Sequence, residues 1–243
     1  MMKRLIVLFT ILTLLLLCWY FLVPSSWFTA ISEPSTPEQA PEVVIPDGLF
    51  IPGPDVLDDE GNRYASVLIA GRTWLASNSR ITRCGAENTI MKLADGKEKG
   101  PGVDFYDTAP RYGYYNGDTT HGYGTLYTHA AVVNCKLCPT GFRVAGKADW
   151  ETLFAALGAG ADRGKLLMKR YGSPFGAILG GRVDGYGPVL GGRYVFWWSA
   201  ERATLKGDKK SAWGPELQGN GEVLIRQQDT RTANYVRCIK EKE

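Results

Sequence analysis

The sequence lacks the signatures on which most assignments of enzymatic function depend. It contains only two histidines, His121 and His129, and no serine elbow or paired-carboxylate pattern accompanies them. No G-x-G-x-x-G or P-loop motif follows a predicted strand, which excludes the common nucleotide-binding folds. No basic run is interleaved with aromatic residues, and the formal net charge is only +3, so nucleic-acid binding is not expected. We therefore expect neither an enzyme nor a bound cofactor.

An uncharged, mostly apolar run lies near the N-terminus. Lys3 and Arg4 precede residues 5–23, which as a helix would span roughly 28 Å, about the hydrocarbon thickness of a bilayer. The two early positive charges favour a cytoplasmic N-terminus and export of the remainder. We therefore predict a signal-anchor or transmembrane helix over residues 1–27. A cleaved signal peptide and a lipoprotein modified at Cys18 are the alternatives, and both also export the chain.

Proline is concentrated in the segment that follows. Residues 28–56 contain six prolines. Because proline lacks a backbone donor and favours extended conformations, this segment predicts a semi-rigid linker. The remainder, residues 57–243, is long enough for one domain with a sizeable core.

Two helices are predicted in the first half of this domain. Residues 126–133 favour a short one. The second helix is indicated by apolar residues at positions i, i+3, i+4 and i+7, which are Trp150, Leu153, Phe154 and Leu157. Gly146 stands at its predicted N-cap with Asp149 three residues on, and Gly158 ends it.

Strands dominate the second half of the domain. Glycines separate short apolar runs over residues 172–201, and closing strands are predicted at 211–217, 222–228 and 234–240. Between the first strands and the first helix, residues 85–122 are glycine-rich and aperiodic, which predicts a long ordered loop region. Helices followed by strands, without a parallel β-α-β alternation, predict an α+β domain with a twisted antiparallel sheet.

Seven short motifs occur in a defined order along this domain. They are V-x-I-x-G-x-x-W-x-A-x-N, G-x-L-Y-x-x-A-A, C-P-x-G-F-x-V, an acidic-Trp helix, G-G-x-x-D-G, F-W-x-S-A-E and V-R-C-I-K, at residues 67–78, 124–131, 138–144, 149–153, 180–185, 196–201 and 236–240. In this order they resemble the Fibrobacter succinogenes major paralogous domain, and the resemblance covers nearly all of residues 57–240. Phe142, the pair Ala145-Gly146 and Trp198 depart from the family pattern at positions that concern packing and capping.

The resemblance implies a C-type-lectin-like fold, which is similar to that of the formylglycine-generating enzymes. In such folds the two ends of the domain pair in one sheet. It also implies an exported bacterial protein, often anchored or lipidated, and it leaves the biochemical role open. The oxidase activity of the formylglycine-generating relatives is not expected here, because they use a cysteine pair late in the chain where only Cys238 stands.

Four of the five cysteines lie in the exported region, and they are Cys84, Cys135, Cys138 and Cys238. A thioredoxin-like role for the C-x-x-C pair would need a β-α-β context that is absent, and a zinc site would have to recruit both histidines. Four cysteines allow three disulfide pairings. We expect Cys138–Cys238, which joins two family motifs and connects the middle of the domain to its last strand. Cys84–Cys135 then holds the glycine-rich loop.

The predicted ligand-binding residues come from the strand-rich half. Trp197 and Trp198 are adjacent, so on a strand they point to opposite faces, and one of them is expected in the core. Trp198 with Trp213 is predicted to form an exposed platform for a sugar or a protein, and the alternative is that both rings are packed under loops. The polar residues predicted to complete this site, in the region where lectin-like folds bind ligand, are Glu216, Arg226 and Asp229. A bound metal is not expected, because residues 213–216 match the calcium motif of lectins only in part.

These observations predict a membrane-tethered, non-enzymatic binding module that faces the periplasm or the cell surface. Its expected partner is a glycan or a protein of the cell envelope. The alternative is a structural subunit of an envelope or surface assembly, in which the helix over residues 5–23 packs against membrane partners. Both functions are inferred from resemblance and from the chemistry of the loops.

Overall fold

A computed structural model describes residues 43–84, 91–92, 109–203 and 211–242. The apolar run 5–23 lies outside these residues, so the N-terminal membrane helix stays a prediction. Within the described ranges, no helix combines the length and the apolar character needed to cross a bilayer.

The described residues form an α+β domain with two helices, as the sequence predicts, and they contain two sheets where the sequence analysis predicts one. The strands are β1 (Ile51–Leu57), β2 (Arg63–Ile69), β3 (Arg72–Leu75), β4 (Met91–Lys92), β5 (Arg111–Gly113), β6 (Leu126–Thr128), β7 (Phe142–Val144), β8 (Gly180–Asp184), β9 (Gly187–Gly191), β10 (Tyr194–Phe196), β11 (Ser211–Gln218), β12 (Val223–Asp229), β13 (Ala233–Tyr235) and β14 (Cys238–Lys240). The helices are α1 (His129–Asn134) and α2 (Lys147–Ala156), and shorter 3-10 turns cover Tyr115–Gly117, Arg163–Leu167 and Lys169–Tyr171.

The first sheet joins the two ends of the domain. Its order is β1-β2-β3-β14-β7, and β14 pairs antiparallel with β3 where Ile239 lies opposite Trp74. This is the pairing of chain ends that the family resemblance implies. β1 takes up residues 51–56 of the predicted linker, which are therefore part of the sheet. Pro52 and Pro54 fit there because β1 pairs only with β2 and forms an edge of the sheet.

The second sheet has the order β12-β11-β10-β8-β13-β6-β5-β4, with β9 paired to β8. The predicted strands at 211–217 and 222–228 are confirmed as the β11–β12 hairpin. The predicted strand at 234–240 is instead two strands, because the chain passes from β13 in this sheet to β14 in the first one. Two pairings, β8 with β10 and β4 with β5, are parallel, so the sheet is mixed rather than purely antiparallel.

The helices match their predictions unequally. α2 begins after Gly146, and the side chain of Asp149 accepts a hydrogen bond from the Gly146 N–H at 2.8 Å, as the N-cap prediction requires. Its apolar face is buried through Trp150, Leu153 and Phe154. The helix predicted over 126–133 begins only at His129, because residues 126–128 are paired between β5 and β13 as strand β6.

An aromatic cluster with a buried arginine forms the centre of the core. The rings of Trp74, Trp150 and Trp197 follow one another with centroids 5.0 Å apart, and Phe175 packs edge-on against them. The guanidinium of Arg237 lies 4.3 Å from the centroid of Phe175 and donates from Nη1 to the carbonyls of Leu75 and Phe175, both at 3.0 Å. Burial lowers the pKa of Arg237 to about 9, so the group stays charged at neutral pH.

The two disulfides are those predicted, Cys84–Cys135 and Cys138–Cys238. Cys138–Cys238 bridges a separation of 100 residues, a loop whose closure is worth about 4–5 kcal/mol in the chain-entropy model. The two cysteines of the C-x-x-C pair therefore belong to different bridges, and neither is a free thiol. Disulfides of this kind indicate an oxidising, extracytoplasmic environment.

We predict that Arg237→Lys lowers the free energy of unfolding by about 2–4 kcal/mol, because a lysine ammonium cannot lie against the rings of Phe175 and Trp197 while it bonds both carbonyls. Urea denaturation measures the change. Arg80→Lys is the matched control, since Arg80 likewise lies over an aromatic ring, that of Tyr64, but is exposed. We expect less than about 1 kcal/mol for Arg80→Lys. An equal loss in the two variants would contradict the role assigned to Arg237.

Candidate functional site

Two of the motif carboxylates, Asp149 and Glu201, lie at the N-terminus of α2. Asp149 accepts bonds from Arg143 at 2.7 and 3.1 Å and from Arg72 at 3.3 Å. Glu201 accepts the N–H of Lys147 at 2.7 Å. Negative charge at a helix N-terminus is favourable and satisfies otherwise unpaired N–H groups. These two carboxylates therefore stabilise the N-terminus of the helix.

Burial by itself raises the pKa of the Asp149 carboxyl. Hydrogen bonds from Arg143 and Gly146, together with the positive charges of Arg143 and Arg72, outweigh it and hold the pKa below the ordinary value of an aspartate. The carboxylate is thus ionised at any pH near neutrality. It stabilises the fold and is a poor candidate for a general acid.

Other polar residues of the motifs are also bonded inside the fold. Asn78 accepts from the Trp197 indole at 2.8 Å and donates to the carbonyl of Tyr123 at 2.6 Å. The Tyr127 hydroxyl donates to the Ile81 carbonyl at 2.7 Å. The motifs therefore describe a structural frame, and a ligand site has to be sought among other residues.

The two histidines occupy different environments. His129 is buried at the start of α1, edge-on to the Trp198 ring at 5.2 Å, and burial, with a smaller effect of the Arg202 charge, lowers its pKa to about 4. His121 is exposed, contacts Asp118 and stacks on Tyr123 with ring centroids 5.4 Å apart. Among the described residues, no group of three or more His, Cys, Asp or Glu side chains could hold a metal ion.

The structure contradicts the exposed platform predicted at Trp198. Trp197 and Trp198 are both fully buried, and the Trp198 indole donates to the carbonyl of Tyr127 at 2.7 Å. The two rings do lie in different apolar clusters, as opposite faces require. The second face is nevertheless covered, because Trp198 packs with Leu137, Cys138 and other residues of the α1 region.

The other predicted ligand residues are divided between the two faces of the β11–β12 hairpin. Glu216 and Arg226 lie on one face, where Arg226 Nε and Glu216 Oε1 are 3.1 Å apart and the carboxylate is buried. Alternation along the strands places Trp213 and Asp229 on the opposite face. There Trp213 lies 5.0 Å from the Lys147 ammonium, and Asp229 binds Arg231. These residues do not converge on one site.

A cleft of about 340 Å³ opens elsewhere on the domain, and we name it the Tyr123 cleft. It is lined by Tyr123, Met168, Lys169, Arg170, Ala177, Ile178, Leu179 and Gly192. These residues come from the loop before β6, the 3-10 turn at 169–171, the segment before β8 and the turn between β9 and β10. The floor is apolar, and the two cations belong to the 3-10 turn.

The aromatic wall of the cleft is held in place from several sides. The ring of Tyr123 contacts that of Tyr115 edge-on, with centroids 6.1 Å apart, and stacks with His121. Its carbonyl is bonded by Asn78. Tyr115 is itself held in place, because its hydroxyl oxygen accepts a hydrogen bond from the Gly191 N–H at 3.0 Å. Tyr123 therefore presents a fixed ring.

Sequence reasoning missed this cleft. Its residues come from four distant segments, and most lie outside the seven motifs. The only local signal is the run Lys169-Arg170-Tyr171, which joins two cations to an aromatic ring. Nothing in that run identifies its apolar partners at 177–179.

These features define a class of protein. It is a disulfide-bonded α+β domain that suits an oxidising compartment and has a cleft of ligand size outside its structural motifs. Residues 67–240 match the Fibrobacter succinogenes major domain, and the chain belongs to that family. No curated protein and no solved structure gives a match to the chain.

We predict that Asp149→Asn lowers the free energy of unfolding by about 1–3 kcal/mol at pH 7, because it removes the charge that binds both arginines. The lowered folded pKa means that this stabilisation is complete above the unfolded pKa of about 3.9 and is lost as the pH falls through the folded value. The difference between the wild type and the variant should therefore shrink below about pH 4. Urea titrations at several pH values measure it.

Glu151→Gln is the matched control on the same helix, since Glu151 is exposed and pairs only with Lys147 along the helix. Its effect should stay within about 0.5 kcal/mol. If both variants lose the same stability at pH 7, the assignment of Asp149 as the helix anchor is wrong.

Proposed function

We propose that this protein is an extracytoplasmic binding module, tethered to the membrane by its N-terminal apolar run, that recognises a glycan or a protein of the bacterial cell envelope through the Tyr123 cleft. The cleft itself is the observation that carries the proposal. Its volume of about 340 Å³ lies within the range of roughly 300–1,000 Å³ that is typical of small-molecule sites. An apolar floor with a few polar groups is the usual composition of such sites.

The composition of the lining supports binding without chemistry. Among the residues that the structure describes, the lining includes no serine, cysteine, histidine or carboxylate, so these residues provide no nucleophile paired with a base. His129 and Asp149, whose pKa values are both lowered, are built into the fold at other places. Ligand recognition is therefore the function that these side chains support best.

Within the same proposal we assign the domain to the C-type-lectin-like folds. The pairing of β3 with β14, which brings the ends of the domain into one sheet, supports this assignment. The Cys138–Cys238 bridge, which fastens the C-terminal strand to the middle of the chain, supports it as well. An oxidising environment, which the disulfides indicate, agrees with a position facing the periplasm or the cell surface.

We predict that Tyr123→Ala weakens binding by at least about tenfold, because it removes the aromatic wall of the cleft. A glycan array and a pull-down from an envelope extract, both with the full-length chain in mild detergent, identify the ligand, and titration calorimetry measures its affinity. Tyr114→Ala is the matched control, since Tyr114 is half-buried against Tyr112 outside the cleft. Equal affinity of the two variants, with both folded by circular dichroism, would refute the cleft as the site.

A structural subunit of an envelope assembly is the second candidate, and one observation favours it. Tyr186, at the tip of the β8–β9 hairpin, is 98% exposed. Exposed tyrosines of this kind often anchor protein interfaces. Native mass spectrometry after mild extraction separates the candidates, because a stoichiometric complex that Tyr186→Ser dissolves would favour the subunit.

A further inference from the structure

Cations without an ion pair among the described residues lie at the Tyr123 cleft. Lys169 and Arg170 are the only charged residues in its lining, both are exposed, and neither forms an ion pair with a carboxylate of the described residues. Arg193 follows the lining residue Gly192 and is also exposed and without an ion pair among the described residues. Elsewhere, arginines such as Arg72 and Arg143 have a carboxylate partner. The cleft is therefore a site of local positive potential.

One of these cations is already oriented. Arg170 donates from Nη2 to the carbonyl of Gly219 at 2.5 Å, and its guanidinium lies 5.0 Å from the centroid of the Tyr171 ring. Two contacts hold the planar group, while its remaining N–H groups are free of partners among the described residues. A guanidinium fork of this kind matches a planar carboxylate with two parallel hydrogen bonds.

The remaining surface of the cleft suits a ring with one apolar face. The fixed ring of Tyr123 forms one wall, and Ala177, Ile178 and Leu179 form the apolar floor. A sugar ring presents C–H groups on one face and polar groups at its edge. Its apolar face can pack against the tyrosine ring while its polar edge contacts the cations. A simple inorganic anion would leave this apolar surface unused.

A peptide ligand is disfavoured by the backbone of the lining. The carbonyls of Ala177, Ile178 and Leu179 accept bonds from Lys169, Gly180 and Gly192, and the Ala177 N–H donates to Leu167. The carbonyls of this segment are therefore not available to pair with an added extended peptide. Recognition depends on side chains and on the shape of the cleft.

We infer that the Tyr123 cleft binds an acidic saccharide, with the carboxylate of a uronic acid against Arg170 and Lys169 and the sugar ring against Tyr123. This inference rests on the proposed function, because it names the ligand class of the same cleft. The carboxylate supplies the negative charge that the two cations lack. The tyrosine and the apolar floor select the ring that carries it.

The experiment compares ligands that differ only in charge. Short oligomers of galacturonic, glucuronic and mannuronic acid, each beside its fully methyl-esterified form, are titrated calorimetrically into the full-length chain in detergent. We expect at least one acid to bind at least about tenfold more tightly than its ester, because the ester cannot accept charge-assisted bonds. The affinity for the acid should fall as salt is raised.

Two variants carry the residue-level test. Arg170→Gln should weaken binding of the acid by at least about tenfold and leave the weak binding of the ester unchanged. Arg63→Gln removes the same charge from an exposed arginine on β2, paired with Asp55 in the first sheet, and should leave both affinities unchanged. Thermal unfolding confirms that both variants are folded.

The outcomes separate the inference from the proposed function. Equal affinity for an acid and its ester, or an Arg170→Gln variant that binds the acid normally, overturns the acidic ligand and leaves the binding module intact. Tighter binding of poly-glutamate than of every uronic acid oligomer overturns it in favour of an acidic protein. Failure of the whole oligomer panel overturns the inference, and failure of the glycan array and the pull-down as well overturns the binding module.

Discussion

The buried guanidinium of Arg237 holds the two sheets and the segment before β8 in their relative positions. Arg237 stands where the chain leaves β13 in the second sheet and enters β14 in the first. Its Nη1 bonds one carbonyl from β3 and one from Phe175, and its plane covers the aromatic core. A buried cation without a carboxylate is costly, so these carbonyls and rings have to be in place for the fold to be stable. The position of residues 175–179, and with it the floor of the cleft, depends on this one side chain.

The motif residues stabilise the fold, whereas other residues line the cleft. This explains why membership of the family leaves the function open. Asn78, Asp149 and Glu201 are used by the frame, where each bonds to a fixed backbone or side-chain partner. The cleft is built mainly from other segments, which the frame positions but does not specify. A chain can therefore keep every motif and present a different ligand surface, as is common when one fold carries several functions.

The local features of the fold could be predicted, and the features that depend on tertiary context could not. α2 was predictable because its capping residues and apolar spacing are contained in one short stretch. The Cys138–Cys238 disulfide followed from two family motifs, and Cys84–Cys135 was then expected as the bridge that holds the glycine-rich loop. Residues 126–128 form a strand because β5 and β13 pair with them, which no local pattern reveals. Trp198 is buried because a second apolar cluster covers the face that alternation predicted to be open. The separation of Trp213 from Glu216, by contrast, is contained in the sequence, because the two residues are an odd number of positions apart on the strand predicted at 211–217.

The chain also has an order in which it can complete its fold. β13 lies between β8 and β6, and β14 lies between β3 and β7, so the last described strands are interior strands of both sheets. Neither sheet can be completed until residues 233–240 are available, and the Cys138–Cys238 disulfide cannot form before then. A polypeptide exported from its N-terminus would therefore remain unfolded through most of its passage across the membrane. Completion of both sheets and formation of the Cys138–Cys238 disulfide would then take place together on the far side of the membrane.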